Sequence, residues 1–215
     1  GEAAARPDGG ISLEDRVGLV SDAFTLAQAG YSQTTSALSL VHRLRGDESY
    51  LVNQAAAQSL GKLASVWWEQ PAAVRSAINK LRVDIFGPLA RKVTFRFGDD
   101  DSIEQRELRI SVLGAAAAAG DEWTLEQVRS LFAPLEKHGD DSQIHPDLVP
   151  VVLVNAVRYG GEREYEAVLR LYEHATTPTH RTASMTALAA TQHDALVKRT
   201  LEMVADGRIK SQDYM

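Results

Sequence analysis

The spacing of its large apolar residues constrains this chain more than any other feature of the sequence. Nearly every segment places such residues three or four positions apart, and the clearest set is Leu13, Val17, Val20, Phe24 and Ala27. Because an α-helix has 3.6 residues per turn, this spacing puts the apolar side chains on one helix face. The pattern predicts an amphipathic helix that buries its stripe against neighbouring helices.

Residues that begin and end helices flank these stripes. Ser12 is followed three positions later by an Asp, which resembles a capping box, and Gly30 stands where a left-handed C-terminal cap is expected. Further along, Gly120 can end one helix, while Thr124 and Gln127 can form a capping box on the next. The sequence therefore predicts short, well-delimited helices.

The same spacing predicts nine further helices, joined by short connections that contain Gly, Pro or Asp. They run roughly over Gln33 to Leu44, Ser49 to Trp67, Pro71 to Lys92, Ser102 to Ala119, Leu125 to Lys137, Pro146 to Tyr159, Glu162 to Ala175, Thr179 to Ala190 and Asp194 to Ala205. Only Lys92 to Phe97 alternates with the period of a strand, and it is too short to seed a sheet. We interpret that segment as a helix terminus or loop.

About ten short helices with brief connections predict an all-α fold. Each helix pair can bury its stripe only against its neighbours, so we expect an irregular α-solenoid of antiparallel helix pairs, similar to HEAT or armadillo repeats. The sequence shows no strict repeat period, and this favours an irregular superhelix over a regular array.

Composition and charge exclude several classes of partner. The 215 residues are 44% hydrophobic and 24% charged, which suits one globular domain or one repeat array. The net charge of -6, with no run of Lys or Arg longer than two, argues against binding to nucleic acid or to acidic membrane surfaces. The absence of cysteine favours an intracellular compartment, and we predict a cytoplasmic one.

No metal or catalytic site is predicted in this chain. A helical zinc peptidase site needs two His at positions i and i+4 with a Glu between them, and the six His do not supply that spacing. The densest set of potential ligands, His138, Asp140, Asp141 and His145, could hold a cation, but we interpret it as a polar loop. We interpret the acidic run at 99–101 as a favourable charge at a helix N-terminus.

Five segments stand in an order that resembles a known family. They are ISLEDRVGLVSDAFTLAQAG, YLVNQAAAQSLGKL, QRELRISVLGAAAAAGD, HPDLVPVVLVNAVRYGG and GRIKSQDYM. Together they resemble the helical C-terminal domain of zinc aminopeptidases of the gluzincin family, of the puromycin-sensitive and endoplasmic-reticulum types. The residues that we take as its structural motif are Asp15, Asp22, Gly160, Gln212 and Asp213.

The resemblance also sets expectations for the domain limits. It covers the chain from residue 11 to residue 215, and it stops just after the SQD element, where the family continues with further helices. We therefore expect a helical domain over 11–215 that is incomplete at its C-terminal end. Residues 1–10 have neither a basic nor an apolar signal region and are expected to be a disordered leader.

The resemblance implies a non-catalytic role for this segment. In the family the HExxH and GxMEN elements lie upstream of this region, and neither occurs here. The chain alone is then no enzyme and has no cofactor of its own, and zinc belongs to the catalytic domain of a parent aminopeptidase. The expected partners are that catalytic domain, whose cavity this domain closes, and a peptide substrate.

Three arginines are candidates to contact the carboxylate of a peptide or to gate the cavity. They are Arg16, Arg109 and Arg158, because a guanidinium matches the geometry of a carboxylate. The alternative is that Arg16 pairs with a buried carboxylate to fix helix packing, and that the other two are surface or structural residues.

Two other functions remain open from the sequence. One is a free-standing helical-repeat adaptor that holds a peptide or a partner helix. The other is a self-contained metal or acid/base hydrolase, for which only the loop from His138 to His145 offers residues. If the chain docks on a catalytic domain, we expect an exposed apolar strip on its surface.

Overall fold

A computed structural model describes residues 11–209 and confirms the predicted all-α class. Residues 1–10 and 210–215, which include the predicted leader, lie outside this range. Ten α-helices and one 3-10 turn follow one another, and residues 11–209 contain no β-strand. The helices are α1 (Leu13–Gln28), α2 (Thr34–Arg43), α3 (Tyr50–Val66), α4 (Ala72–Val93), α5 (Ile103–Ala118), α6 (Glu122–His138), α7 (Val149–Tyr159), α8 (Glu162–Glu173), α9 (Pro178–Leu188) and α10 (Asp194–Ala205).

Several predicted helix ends are confirmed by their caps. The Ser12 hydroxyl accepts a hydrogen bond of 3.1 Å from the backbone N–H of Asp15. Gly30 and Gly120 have φ angles of 79° and 87°, in the left-handed region that favours glycine. The stripes of the sequence and these stop signals thus set the helix boundaries together.

The predicted start of α6 was wrong, because Asp121 caps this helix and Thr124 does not. The Asp121 carboxylate accepts two bonds through its Oδ2 atom, at 3.0 Å from the Thr124 backbone N–H and at 2.7 Å from the Thr124 hydroxyl. The helix accordingly begins at Glu122, three residues earlier than predicted. A carboxylate at this position also complements the positive end of the helix dipole.

In two other segments the structure adds detail to what the sequence predicts. The predicted helix over Pro146 to Tyr159 begins as a 3-10 turn, Pro146–Leu148, before α7 starts. The strand-like segment after α4 is a helix end followed by a loop, as predicted, and Thr94 there has a φ angle of 54°.

The chain divides into two compact units, 1–124 and 125–215, which we describe separately. In the first unit α1 packs on α2 and α3, while α3, α4 and α5 pack on one another. Its core is made of fully buried aliphatic and aromatic side chains. These include Val20, Val41, Val52, Leu60, Phe86, Val112 and Leu113.

In the second unit α7, α8 and α9 pack on one another. The Tyr165 hydroxyl of α8 lies 2.8 Å from the Thr200 hydroxyl of α10, and both side chains are buried. Arg199 of α10 forms an ion pair with Glu166 of α8. These contacts attach α10 to α8, whereas the arrangement of all ten helices as a solenoid stays a prediction.

A close approach in the first unit requires a glycine inside α4. A Cβ atom on Gly87 would lie 2.8 Å from Asp121 Oδ1 and 3.0 Å from an Arg91 nitrogen. The same Oδ1 accepts a hydrogen bond of 3.1 Å from Arg91, and the Asp121 side chain is only 2% exposed. Asp121 is held from two sides, so it has little freedom to move away from a larger side chain.

We expect Gly87→Ala to lower the free energy of unfolding by about 1–2 kcal/mol, because overpacking outweighs the gain in helix propensity. The matched control is Gly61→Ala in α3, where a Cβ atom would meet nothing within 4 Å. That variant should gain up to about 1 kcal/mol. Urea unfolding of both variants measures the difference, and equal changes would show that Asp121 moves aside freely.

Candidate functional site

The first candidate arginine, Arg16, lies on α1 and is engaged within the protein. Its Nε atom is 2.9 Å from Asp47 Oδ2, in the connection between α2 and α3. A second guanidinium nitrogen donates to the carbonyl of Ile11 at 3.1 Å. The two charged side chains are 18% and 15% exposed, so the pair is largely screened from solvent.

Asp47 extends this contact into a small network. Its Oδ1 atom accepts a bond of 2.9 Å from the Ser49 backbone N–H, just before α3 begins. The Asn53 side chain of α3 donates to the carbonyls of Asp47 and Ser49 at 2.6 and 2.9 Å. Arg16 thereby links α1 to the start of α3, which matches the structural alternative for this residue.

The second candidate, Arg109 on α5, is 7% exposed and holds the loop after α4. Its Nε atom donates to the Val93 carbonyl at 3.1 Å, and a terminal nitrogen donates to Asp101 Oδ2 at 2.7 Å. The guanidinium also lies 4.5 Å from the ring centre of Phe97. These contacts use much of its donor capacity, and its contact with a peptide stays a prediction.

The third candidate, Arg158, differs from the other two. It lies near the end of α7 and is partly buried, and its Nε atom is shielded from solvent without a hydrogen-bond partner. No ion pair joins it to any residue in the range 11–209. Since buried polar groups are normally paired, Arg158 is the candidate whose guanidinium has most capacity left for a ligand.

The predicted structural motif falls on several surfaces. Asp15 and Asp22 are exposed on α1, where they line a shallow groove of about 390 Å³ with Gly18 and Leu19. Gly160 ends α7, and a Cβ atom there would lie 2.5 Å from the Ala156 carbonyl oxygen. Gln212 and Asp213 lie outside the residues described.

The first unit exposes apolar side chains, as expected for a docking surface. Tyr31, Val66 and Trp68 are 84%, 67% and 65% exposed. Val66 also lines a groove of about 460 Å³ between α1 and α3, together with Phe24 and Trp67. Which partner covers this groove stays a prediction.

The residues between 11 and 209 do not fit a zinc ion. No group of three or more His, Asp or Glu side chains in this range is arranged to hold a metal. Within the loop considered above, Asp141 Oδ2 instead pairs with His180 Nε2 at 2.8 Å. His145 accepts a bond of 3.2 Å from the Asp147 backbone N–H.

The acidic run at 99–101 has a role that its sequence did not reveal. Asp101 accepts a bond of 2.8 Å from the Gly98 backbone N–H in addition to the ion pair with Arg109. These contacts, first the backbone bond and then the arginine, lower the pKa of the Asp101 carboxyl from its ordinary value. The carboxylate therefore fixes the loop against α5, whereas a favourable helix charge was the only role predicted.

Ten helices bury their apolar stripes, and they define an all-helical domain held together by packing. The described residues contain no group of side chains that could hold a metal ion. The chain belongs to the ERAP1-like C-terminal domain family, whose model matches residues 2–215. This assignment confirms the resemblance drawn from the five ordered segments. In residues 11–209 no helix is both long and apolar enough to cross a bilayer.

Curated relatives of this chain are aminopeptidases. The alanine/arginine aminopeptidase of Saccharomyces cerevisiae is 30% identical over 205 residues, which are 95% of this chain and 24% of that protein. Aminopeptidase 2, mitochondrial, of the same yeast is 28% identical over 94% of this chain and 21% of its own length. Aminopeptidase N of Rattus norvegicus is 25% identical over the same shares. The chain thus spans about a quarter or less of these relatives.

We expect Asp101→Asn to lower the melting temperature at neutral pH. A carboxyl whose pKa is lowered by folding stabilises the protein above its ordinary pKa of about 4, and this stabilisation is lost as the pH falls through the lowered value. The difference in melting temperature between variant and parent should therefore narrow as the pH falls below about 4. Thermal unfolding across this range measures it.

The control is Asp100→Asn, since Asp100 is exposed and forms no ion pair within residues 11–209. We expect it to leave the melting temperature at neutral pH nearly unchanged. A gap between Asp101→Asn and the parent that stayed constant with pH would contradict the role assigned to the carboxylate.

Proposed function

We propose that this chain is the helical C-terminal domain of a zinc-dependent aminopeptidase that removes N-terminal residues from peptides. The observation that carries the proposal is the coverage of the relatives. Nearly all of this chain aligns with proteins named aminopeptidases, and it accounts for only 21–24% of each of the three compared. The catalytic domain and its zinc then belong to another part of the parent protein.

In this proposal the domain caps the active-site cavity and helps to bind or select the peptide. A helical surface that closes over a cavity can exclude water and present cations to the peptide carboxylate. The exposed Val66 side chain and the groove that it lines between α1 and α3 suit a contact with the catalytic domain, because exposed apolar side chains are costly to leave in water. The family match favours this role over a free-standing adaptor.

Arg158 is the residue that we assign to the peptide carboxylate. Arg16 and Arg109 already neutralise Asp47 and Asp101, respectively, so a ligand would have to replace an internal partner at either position. Arg158 has no such partner among the described residues, and an anion would supply acceptors to its guanidinium.

A cytoplasmic location is also a proposal, which cell fractionation tests.

The purified 215-residue chain is expected to hydrolyse no aminoacyl fluorogenic substrate, even with added zinc. Hydrolysis should appear when the chain is joined to the peptidase portion that precedes it. Assays of the two proteins side by side, with metal content measured by mass spectrometry, test the assignment. An active isolated chain with one zinc per molecule would show that catalysis lies within it.

Arg158→Gln should weaken binding of a fluorescent decapeptide with a free C-terminal carboxylate by roughly tenfold or more, since bonds to a charged group contribute about 1.5–3 kcal/mol. Arg158→Lys keeps the charge but loses the planar fork, so an intermediate loss is expected. Fluorescence anisotropy with the chain measures both affinities.

Two controls make the result specific to the carboxylate. Arg170→Gln removes an exposed cation from α8 and should leave the affinity unchanged. The same decapeptide with an amidated C-terminus should bind the parent chain as weakly as the free peptide binds Arg158→Gln. If amidation leaves the affinity of the parent chain unchanged, Arg158 does not bind the C-terminal carboxylate of the peptide.

A further inference from the structure

The first helix carries a second stripe of residues that the packing of its unit does not use. Helix α1 packs on α2 and α3, and Val20 of its apolar stripe is fully buried. The second stripe, with spacings of four, three and four, consists of Asp15, Leu19, Asp22 and Leu26. It is displaced by two positions from the apolar stripe, which is about 200° around the helix axis. The second stripe therefore lies on the opposite side of α1.

The apolar part of this stripe is accessible and has space beside it. Leu19 and Leu26 are 40% and 46% exposed. Gly18 precedes Leu19, and a Cβ atom on Gly18 would meet nothing within 4 Å. Both residues line the groove of about 390 Å³ described above. An apolar side chain of a partner can fill this space and cover Leu19.

The acidic part of the stripe is not neutralised within the protein. Asp15 and Asp22 are exposed, and no ion pair joins either of them to a residue in the range 11–209. Glu14 adds a third carboxylate to the lining of the groove. The basic residue of α1 is Arg16, which is already paired with Asp47. This face of α1 is therefore complementary to a partner with positive charge.

The separation of the carboxylates limits the kind of partner. Asp15 and Asp22 are seven positions apart, which is about 10 Å along the helix axis. One cation cannot bind both, because metal–oxygen bonds are only about 2–2.6 Å long. A small cation would also leave Leu19 and Leu26 in water. A partner helix has the same repeat as α1, so its basic and apolar side chains can alternate in the same way along one face.

We propose that the face of α1 formed by Asp15, Gly18, Leu19, Asp22 and Leu26 binds a basic amphipathic helix of a separate protein. Lys or Arg side chains of that helix pair with the two carboxylates, and its apolar side chains cover the two leucines. The groove assigned above to the catalytic domain is lined by other residues, so this face is left for a second partner. The choice of a separate protein rests on the proposed function, whereas the chemistry of the helix follows from α1 alone.

The probe is a fluorescent alanine-based peptide of about 21 residues, since shorter helices are marginal in water. Leu and Lys alternate along one face of this peptide at spacings of three and four. One control peptide has Glu in place of Lys. A second control has the same composition with Leu and Lys spread around the helix, because a chain with a net charge of -6 attracts any basic peptide.

Fluorescence anisotropy with the chain should show the Leu–Lys peptide binding roughly tenfold or more tightly than either control. The affinity should fall as salt is added, because exposed ion pairs are screened. Equal affinities for the three peptides would overturn the proposal. So would the absence of binding of the Leu–Lys peptide up to about 1 mM.

Gly18→Gln tests the groove without disturbing the fold. The new side chain enters open space, and Gln is a better helix former than Gly, so the variant should fold. It should weaken binding of the Leu–Lys peptide by roughly fivefold or more, because it occupies the space that the peptide fills. The matched control is Gly61→Gln on α3, where a Cβ atom also meets nothing within 4 Å. Equal affinities of the two variants would overturn the docking face.

The carboxylates are tested by a variant with both Asp15→Asn and Asp22→Asn. Loss of two exposed ion pairs should weaken binding of the Leu–Lys peptide by roughly threefold to tenfold. The control carries Asp99→Asn and Asp100→Asn, which remove the same charge from another exposed segment. Its affinity should equal that of the parent chain. An equal loss in both variants would show that only net charge matters and would overturn the proposed pairs.

Two measurements test the choice of a separate protein as the partner. The chain alone should sediment as a monomer, and a dimer that Leu19→Asp dissociates would assign this face to a second copy. The chain joined to the peptidase portion should bind the Leu–Lys peptide with unchanged affinity. Loss of binding there would show that the parent protein covers the face and would overturn the proposed partner. Hydrolysis by the same joined protein tests the proposed function separately.

Discussion

The carboxylate of Asp121 is the contact on which the organisation of the first unit depends. One oxygen accepts both hydrogen-bond donors of Thr124 and so begins α6, and the other pairs with Arg91 of α4. A charge that is 98% removed from solvent is tolerated only when it is paired and hydrogen-bonded, and all these bonds are present together. The lack of a side chain at Gly87 gives the carboxylate the space to make them.

Internal ion pairs also occupy two of the arginines that the sequence predicted as ligand contacts. Arg16 and Arg109 each satisfy a carboxylate that helps to hold a connection between helices, namely Asp47 and Asp101. Their guanidinium groups stabilise the packing of the helices. The number of cationic residues in the sequence is therefore larger than the number that a ligand can contact. Arg158 of α7, whose Nε atom is buried without a hydrogen-bond partner, is the position that we propose for a ligand contact.

Much of the helix content could be predicted from the sequence, because apolar stripes and capping residues act over a few positions. Where two caps compete within a few residues the prediction failed, since Thr124 fits the capping-box pattern but Asp121 lies three residues before it. The partners of Arg16 and Arg109 could not be assigned, because Asp47 is separated from Arg16 by 31 positions and meets it only in the fold.

The helices of each unit pack mainly on partners one or two helices away along the chain. Such contacts close short loops, and the entropy lost in closing a loop grows with its length. Proteins rich in local contacts fold in microseconds to milliseconds, faster than those dominated by distant pairings. We therefore expect the α3, α4 and α5 cluster to acquire its structure early during synthesis, before the second unit has left the ribosome.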